Sequence, residues 1–324
     1  MRAVEVSSIG VDVGGTKVLA VALDPQGTIV AVERRPTPQV IDGEAPSGAA
    51  VADAVAEAVL AVAKATSAPT LRGLALGCGI PGMVDRRGVL VFAPNLHGAI
   101  GADLASLLSE RLDGAVVGVD NDANCALLAE HHFGAARGVD DALLVTLGTG
   151  IGGAALIGGT LLRGANGFAA EFGHLLVDPH GPPCPCGSRG CWERYASGAG
   201  FRHLLDRAAA AGQLDPAAAH SAEAGIAAVR AGDPGAAAVL EEFSWWLARG
   251  VANLCAAFDP ELVLFGGGVA QEHDLFLAPV AAHLADMVEG GRLRQPPRLA
   301  ATALGARAGA IGAALVGERR LLGR

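Results

Sequence analysis

Twenty-three residues, EFGHLLVDPHGPPCPCGSRGCWE from Glu171 to Glu193, hold three of the six cysteines in the chain together with two histidines. Such a set fits a disulfide, a nucleic-acid-binding zinc finger or a metal clip beside an active site. Cys184 and Cys186 are too close in sequence for an easy disulfide. With Cys191 and a histidine they give H-x9-C-x-C-x4-C, a Cys3His set of the kind that binds structural zinc tetrahedrally. His174 fits that spacing, and His180 is the other histidine available. The glycines and prolines between them supply the turns that let close-spaced thiolates converge.

Two further stretches could handle phosphate. GVDVGGTK places Gly10 and Gly15 at Walker spacing, but Thr16-Lys17 is in the wrong order and leads into a strand. LGTGIGG contains G-x-G-x-x-G at Gly148, Gly150 and Gly153, yet the residues that follow read as strand where a dinucleotide fingerprint would open a helix. Both standard motifs fail on context. The physics survives: glycine turns let backbone N–H groups approach an anion. Asp12 beside the first turn is a natural magnesium partner, with Gly14, Gly15, Thr16 and Lys17 next to it and Thr149 in the second turn. VDNDAN, Val119 to Asn124, falls where a strand gives way to a helix. Asp122 there is a general base or an N-cap, and Asn121 a hydroxyl-binding amide or a turn residue.

The elements that must carry these groups read as α/β. Strands are predicted over 9–13, 17–23, 29–34, 71–77, 115–119, 142–147, 154–157 and 262–265. Helices are predicted from Ser47 through Val62 and over 104–112, 123–133, 243–258 and 305–315, and the Ala-rich stretch 208–238 is expected to be largely helical. Tight loops are expected at 79–82, 148–153 and 266–268. Strand, glycine turn, strand occurs near residue 14 and again near residue 150. That weak duplication points to two similar α/β halves, with a boundary near Asp120.

The chain of 324 residues is 51% hydrophobic, ample for such cores, and its net charge is −9. An acidic chain without basic runs speaks against nucleic acid as a partner. The first residues lack the apolar core of a signal peptide, and no run of about eighteen apolar residues is present, so a cytoplasmic chain with no membrane span is expected. Only eight residues precede Ile9, so no DNA-binding segment is expected ahead of the first strand. Cys78, Cys125 and Cys255 sit in apolar runs and are expected in the core. One of Trp245 and Trp246 is expected in the core and the other at a subunit contact. Glu241-Glu242 and Arg319-Arg320 read as ordinary surface charges.

DVGGTK, GIPGMVD, PNL, NDAN, LGTGIGG, RGANGFAAEFGH, CPCGSRGCWE and LFGGGV occur in this order. Over essentially its whole length the chain resembles the ROK family of sugar kinases and sugar-responsive repressors, and within it the bacterial glucokinases of actinobacterial type. The resemblance implies an actin-like ATPase fold: two ribonuclease-H-like domains with a cleft between them, and a structural zinc site. It implies a small domain over 1–120 joined by the C-terminal helix (about 305–324), and a large domain over 121–304. It implies ATP, Mg2+ and Zn2+ as cofactors and transfer of phosphate to the 6-hydroxyl of glucose, with Asp122 as the base. Another hexose or N-acetylhexosamine, or a non-catalytic sugar sensor, are the alternatives. Gly79, Asn95, Asn121, Glu171, His174 and Glu193 would line the sugar pocket. Gly14 to Lys17 and Gly148 to Gly150 would hold phosphates, and Gly266, Gly267 and Gly268 the adenosine side. His174, Cys184, Cys186 and Cys191 would hold zinc, His174 turning its second ring nitrogen to the sugar. A homodimer or homotetramer is implied. Ala154 and Ala170 depart from the family pattern, each standing where glycine is common.

Overall fold

The computed structural model describes residues 5–40, 45–66 and 70–323. They form two compact units. The first comprises residues up to 137, 161–169 and from 303 onward; the second comprises 138–160 and 170–302. No helix among the described residues is long and apolar enough to cross a membrane.

In the first unit β1 (Ser8–Val13), β2 (Lys17–Leu23) and β3 (Ile29–Pro36) form an antiparallel meander. Helix α1 (Gly48–Ala65) follows, capped by the Ser47 side chain on the N–H of Ala50. Next come β4 (Ala75–Ile80), a hairpin of β5 (Met83–Val84) and β6 (Leu90–Phe92), α2 (Leu104–Arg111), β7 (Val117–Asn121) and α3 (Asp122–Phe133). The sheet order is β3-β2-β1-β4-β7, with β4 and β7 parallel to β1 and to each other.

Alternation along β2 explains the layering. Val18, Ala20 and Ala22 join the cluster containing Val51, Val55, Val59 and Val62 of α1. Leu19, Val21 and Leu23 join Ala129 of α3 on the opposite face. A strand buried on both faces needs consecutive apolar residues, and β2 has them from Val18 to Leu23, with only Lys17 at its start exposed.

The second unit repeats the pattern with β8 (Ala142–Leu147), β9 (Ile151–Ile157), β10 (Thr160–Leu161), β11 (Leu262–Gly266) and β12 (Arg298–Ala301), in the order β10-β9-β8-β11-β12. Strands β8 and β9 are antiparallel; β11 runs parallel to β8 and to β12. Its helices are α4 (Glu193–Ala196), α5 (Gly198–Ala210), α6 (Ala222–Arg230), α7 (Pro234–Phe258) and α8 (His273–Met287). The last helix, α9 (Ala308–Leu321), belongs to the first unit.

The smallness of α9 has a counterpart in the first sheet. Gly10, Gly77 and Gly118 are register partners on β1, β4 and β7. A Cβ on them would lie 2.0 Å from the Ala310 oxygen, 1.7 Å from the Ala313 oxygen and 2.8 Å from the Val316 oxygen. The three glycines form a trough in which α9 lies backbone on backbone. Gly10 therefore serves packing, and its Walker-like spacing from Gly15 is incidental.

Several boundaries differ from expectation. The fourth strand starts at Ala75 and takes in Gly79 and Ile80, because pairing with β1 sets its frame and apolar character alone does not. Strand β9 starts at Ile151, pairing Gly152 and Gly153 with Thr146 and Val145, so the second glycine turn is only Gly148 to Gly150. Helix α7 starts nine residues early, at Pro234 behind the Asp233 cap. The Ala-rich stretch is broken between α5 and α6. Cys78, Cys125 and Cys255 are buried as expected. Trp245 is exposed, and Trp246 stacks on Tyr195 at 4.0 Å between ring centroids.

Candidate functional site

In the first unit the functional side chains gather at the carboxyl ends of the parallel strands, where α/β folds bind ligands. Asp12, Gly79 and Asp120 are cross-strand partners on β1, β4 and β7. Gly79, between them, lets the start of α3 pack close: a Cβ there would be 3.6 Å from the Asp122 Cα and 3.2 Å from the Cys125 sulfur. Burial, then the Asp122 charge, pushes the Asp12 carboxyl up to about 7, with Lys17 pulling the other way.

The β1–β2 hairpin turn, residues 14–16, closes with Gly14 N–H donating to the Lys17 oxygen (2.8 Å). It is braced by Thr37, a residue the sequence reading missed, whose hydroxyl donates to the Gly14 oxygen at 2.7 Å. Apart from Gly15 and its chain neighbours, no atom lies within 4 Å of where a Gly15 Cβ would be. The turn is thus an open backbone cradle with Lys17 at its edge.

Asn121 ends β7 and caps α3. Its Oδ1 accepts from the N–H groups of Ala123 (2.9 Å) and Asn124 (3.2 Å), and its Nδ2 donates to the Gly82 oxygen (3.0 Å). The cap thus falls on Asn121, freeing Asp122 from that role. Asp122 is the first residue of α3, where the helix dipole favours a carboxylate. Its Oδ1 accepts from Ala123 N–H at 2.9 Å. Burial nevertheless raises its proton affinity above the ordinary carboxylate range, against the hydrogen bonds that lower it. Asn95 is exposed on a 3-10 turn, Pro94–Ala99.

Asp120, one residue before this pair, was not singled out from sequence. It is 7% exposed and receives Nε and a terminal nitrogen of Arg163 on Oδ2, at 2.8 and 2.7 Å. Arg319, expected as a surface charge, is half-buried; burial and then the charge of Arg163 lower its proton affinity.

In the second unit the cysteine cluster assembles as predicted. A ring nitrogen of His174 and the sulfurs of Cys184, Cys186 and Cys191 all lie within 4.8 Å of one another. His180 is outside the group. Cys186 and Cys191 sulfurs are 3.6 Å apart, and Cys184 is 3.9 Å from Nδ1 of His174. A tetrahedron with metal–sulfur bonds of about 2.3 Å has an edge of roughly 3.7 Å. The donor set and its spacing are compatible with structural zinc, and all six cysteines are free thiols.

The cluster is tied to both neighbours. Trp192 is fully buried, and its Nε1 donates to the Trp246 oxygen at 2.8 Å; Gly250 of α7 leaves room for the indole. Glu193 places Oε1 at 3.1 Å from the Cys184 sulfur and 3.7 Å from Nδ1 of His174. Its other oxygen lies against Gly150, where a Cβ would approach to 2.4 Å. Thr149 and Gly148 are held by the start of α5: Gly198 N–H donates to the Gly148 oxygen at 2.8 Å, Ala199 N–H to the Thr149 oxygen at 3.4 Å. Gly267, with φ of +85°, packs against the Leu147 carbonyl, so the Gly266–Gly268 turn neighbours the Gly148 turn. Glu171 precedes the 3-10 turn Phe172–His174 that presents His174. Ala170 takes φ of +72°, which explains why glycine suits that position.

Two mixed sheets of one topology, each opened by a hairpin with a glycine turn, define the actin-like ATPase fold. The chain belongs to the ROK family, whose model matches residues 8–320. It is 37% identical to the glucokinase of Streptomyces coelicolor over 95% of this chain and 96% of that one. Among solved structures it is similar to a ROK glucokinase from Streptomyces griseus in complex with glucose and AMPPNP. That match has 36% identity and a TM-score of 0.77, covering 96% of this chain and 99% of the other. It is also similar to a ROK hexokinase from Thermus thermophilus, with 35% identity, a TM-score of 0.82 and coverage of 98% and 99%.

Proposed function

We propose that this chain is an ATP-dependent hexose kinase that phosphorylates glucose at its 6-hydroxyl, with Asp122 as general base. The observation that carries the reading is the state of Asp122. It is a carboxylate at a helix N-terminus, relieved of capping by Asn121 and raised in proton affinity by burial. A base works best when its proton affinity approaches the operating pH, and burial moves Asp122 in that direction. The similarity to glucokinases supports the substrate. In this reading Gly79, Asn95, Asn121, Asp122, Glu171, His174 and Glu193 attend the sugar, as the family resemblance implies.

Phosphoryl transfer depends on positioning and charge stabilisation more than on covalent catalysis. The turns at Gly14–Thr16 and Gly148–Gly150 offer backbone N–H groups, and Lys17 offers a cation, to the phosphates of ATP. The Gly266–Gly268 turn takes the adenosine side. Asp12 fits magnesium as a buried carboxylate beside an open glycine turn, and the ion would neutralise phosphate charge when bound. His174, Cys184, Cys186 and Cys191 fit zinc by donor chemistry and spacing. Bound there, zinc would supply a clip: the four ligands would hold His174 in place and, through the contacts of Glu193 with Cys184 and Gly150, the wall beside the second phosphate turn. The reading extends to a cytoplasmic homodimer or homotetramer.

The test is release of ADP from ATP and magnesium with glucose, mannose, fructose, N-acetylglucosamine and N-acetylmannosamine, beside Asp122→Asn. Glucose is expected to lead, and the variant to lose about 100-fold to 10,000-fold in kcat, the usual weight of a general base. An N-acetylated sugar in the lead would replace the substrate; glucose binding without ADP release would make the chain a sensor.

A further inference from the structure

We propose that Asp120, clamped by Arg163, is a positioning residue for Asp122. It locks the strand-to-helix joint that presents the base, and the inference rests on the reading of Asp122 as that base. The carboxylate of Asp120 is fully committed. Its Oδ1 accepts the main-chain N–H of Asn121 at 2.8 Å and Nδ2 of Asn124 at 2.8 Å. Its Oδ2 takes both nitrogens of the Arg163 fork. The residues so tied, Asn121 and Asn124, bracket Asp122 in sequence. Asn121 in turn caps α3 and reaches Gly82.

Asp120 is buried near the end of β7, where an ion pair is a poor source of stability. An apolar side chain of similar size commonly does as well there or better. What an apolar residue cannot do is hold a neighbouring N–H and a side-chain amide in fixed directions. The origin of the cation makes the same point. Arg163 lies in residues 161–169, which belong to the first unit although the chain on both sides of them belongs to the second. Its neighbour Gly164 is anchored by Arg86, whose Nε donates to the Gly164 oxygen at 3.1 Å. This excursion brings a guanidinium to the carboxylate that adjoins the base.

The pair acts on geometry, so its loss should appear in kcat and should depend on the presence of Asp122. Asp120→Asn keeps the shape but turns an amide toward the guanidinium. Arg163→Gln, at a half-exposed residue, removes the clamp with less risk to folding. Glucose-dependent transfer of labelled phosphate from ATP would be measured for each, alone and combined with Asp122→Asn. Each single variant is expected to lose about 10-fold to 100-fold in kcat, the scale of a displacement of about 1 Å, with KM for ATP within about threefold of the parent. In the Asp122→Asn background neither is expected to lower the remaining rate further, because the base they position is gone. An equal fold-loss in both backgrounds would mark a merely structural role and overturn the proposal. Full activity of both single variants beside an inactive Asp122→Asn would overturn it while leaving the base in place. An unimpaired Asp122→Asn would overturn both.

Discussion

Gly312→Ala tests the packing behind α3, the helix that opens with Asp122, the proposed base. Gly312 lies inside α9, where alanine is worth about 1 kcal/mol more than glycine on helix propensity alone. Propensity therefore predicts a more stable protein. The structure predicts the reverse. A Cβ at this position would stand 1.6 Å from the Cys125 carbonyl oxygen and 2.3 Å from its carbon. Carbon–oxygen contacts settle near about 3.3 Å, so α9 and α3 would have to separate by roughly 1.7 Å. Both contacting groups are main chain and no side chain can rotate away. Overpacking by a single methyl costs about 1–3 kcal/mol even where side chains yield. A backbone clash belongs at the upper end, leaving a net loss of about 2 kcal/mol or more. Cys125 is in the first turn of α3, three residues after Asp122, so kinase rate should fall with stability. Gly225→Ala is the control: it is also inside a helix, α6, but its Cβ would first meet a side chain, the methyls and Cγ of Leu205 at 2.5, 2.8 and 3.2 Å. Urea unfolding of the three proteins, with melting midpoints and glucose-dependent ADP release, would decide. Gly225→Ala should lose less than Gly312→Ala, at most about 2 kcal/mol, because a side chain can yield and helix propensity offsets part of the overpacking. A Gly312→Ala protein as stable as the parent would refute the backbone-on-backbone account of α9.

Asp12 should make stability fall with pH in protein freed of nucleotide and divalent metal. Its folded-state value of about 7 lies above an ordinary 3.8, so its contribution is fully present below 3.8 and lost as pH rises to about 7. The slope is about −1.4 kcal/mol per pH unit across that window. In Asp12→Asn this part of the slope should be lost, leaving the share of Asp122; denaturation midpoints that shift identically with pH in both proteins would refute this. Glu130 is fully buried, and its carboxylate accepts the N–H groups of Ala135, Ala303 and Leu304 at 2.8, 3.1 and 2.8 Å. Glu130→Gln turns a donor toward these donors and should cost about 1–3 kcal/mol by urea unfolding. Purified protein should carry about one zinc per chain by metal analysis. Chelation should release it and expose the Cys184, Cys186 and Cys191 thiols to a thiol reagent ahead of the buried Cys78, Cys125 and Cys255.

Local chemistry made much of this protein legible in the sequence. The Cys3His set was visible because its ligands fall within eighteen residues and glycine and proline dictate the turns. The two hairpins with glycine turns were visible because strand alternation and turn residues act over a few positions. The Asn121-Asp122 joint was visible because a change from strand to helix needs a cap, although which residue caps had to be read from geometry. Only the tertiary structure decided the rest. Gly10 reads as part of a phosphate loop until its strand neighbours Gly77 and Gly118 form the trough that receives α9. Asp120 reads as one more polar residue until Arg163, 43 positions away, closes on it. Glu193 meets Gly150, and Glu130 meets residues 303 and 304, by the same route. A periodic pattern records which face of an element is buried. It does not record which distant backbone lies against that face, because close packing selects the partner only when the elements meet.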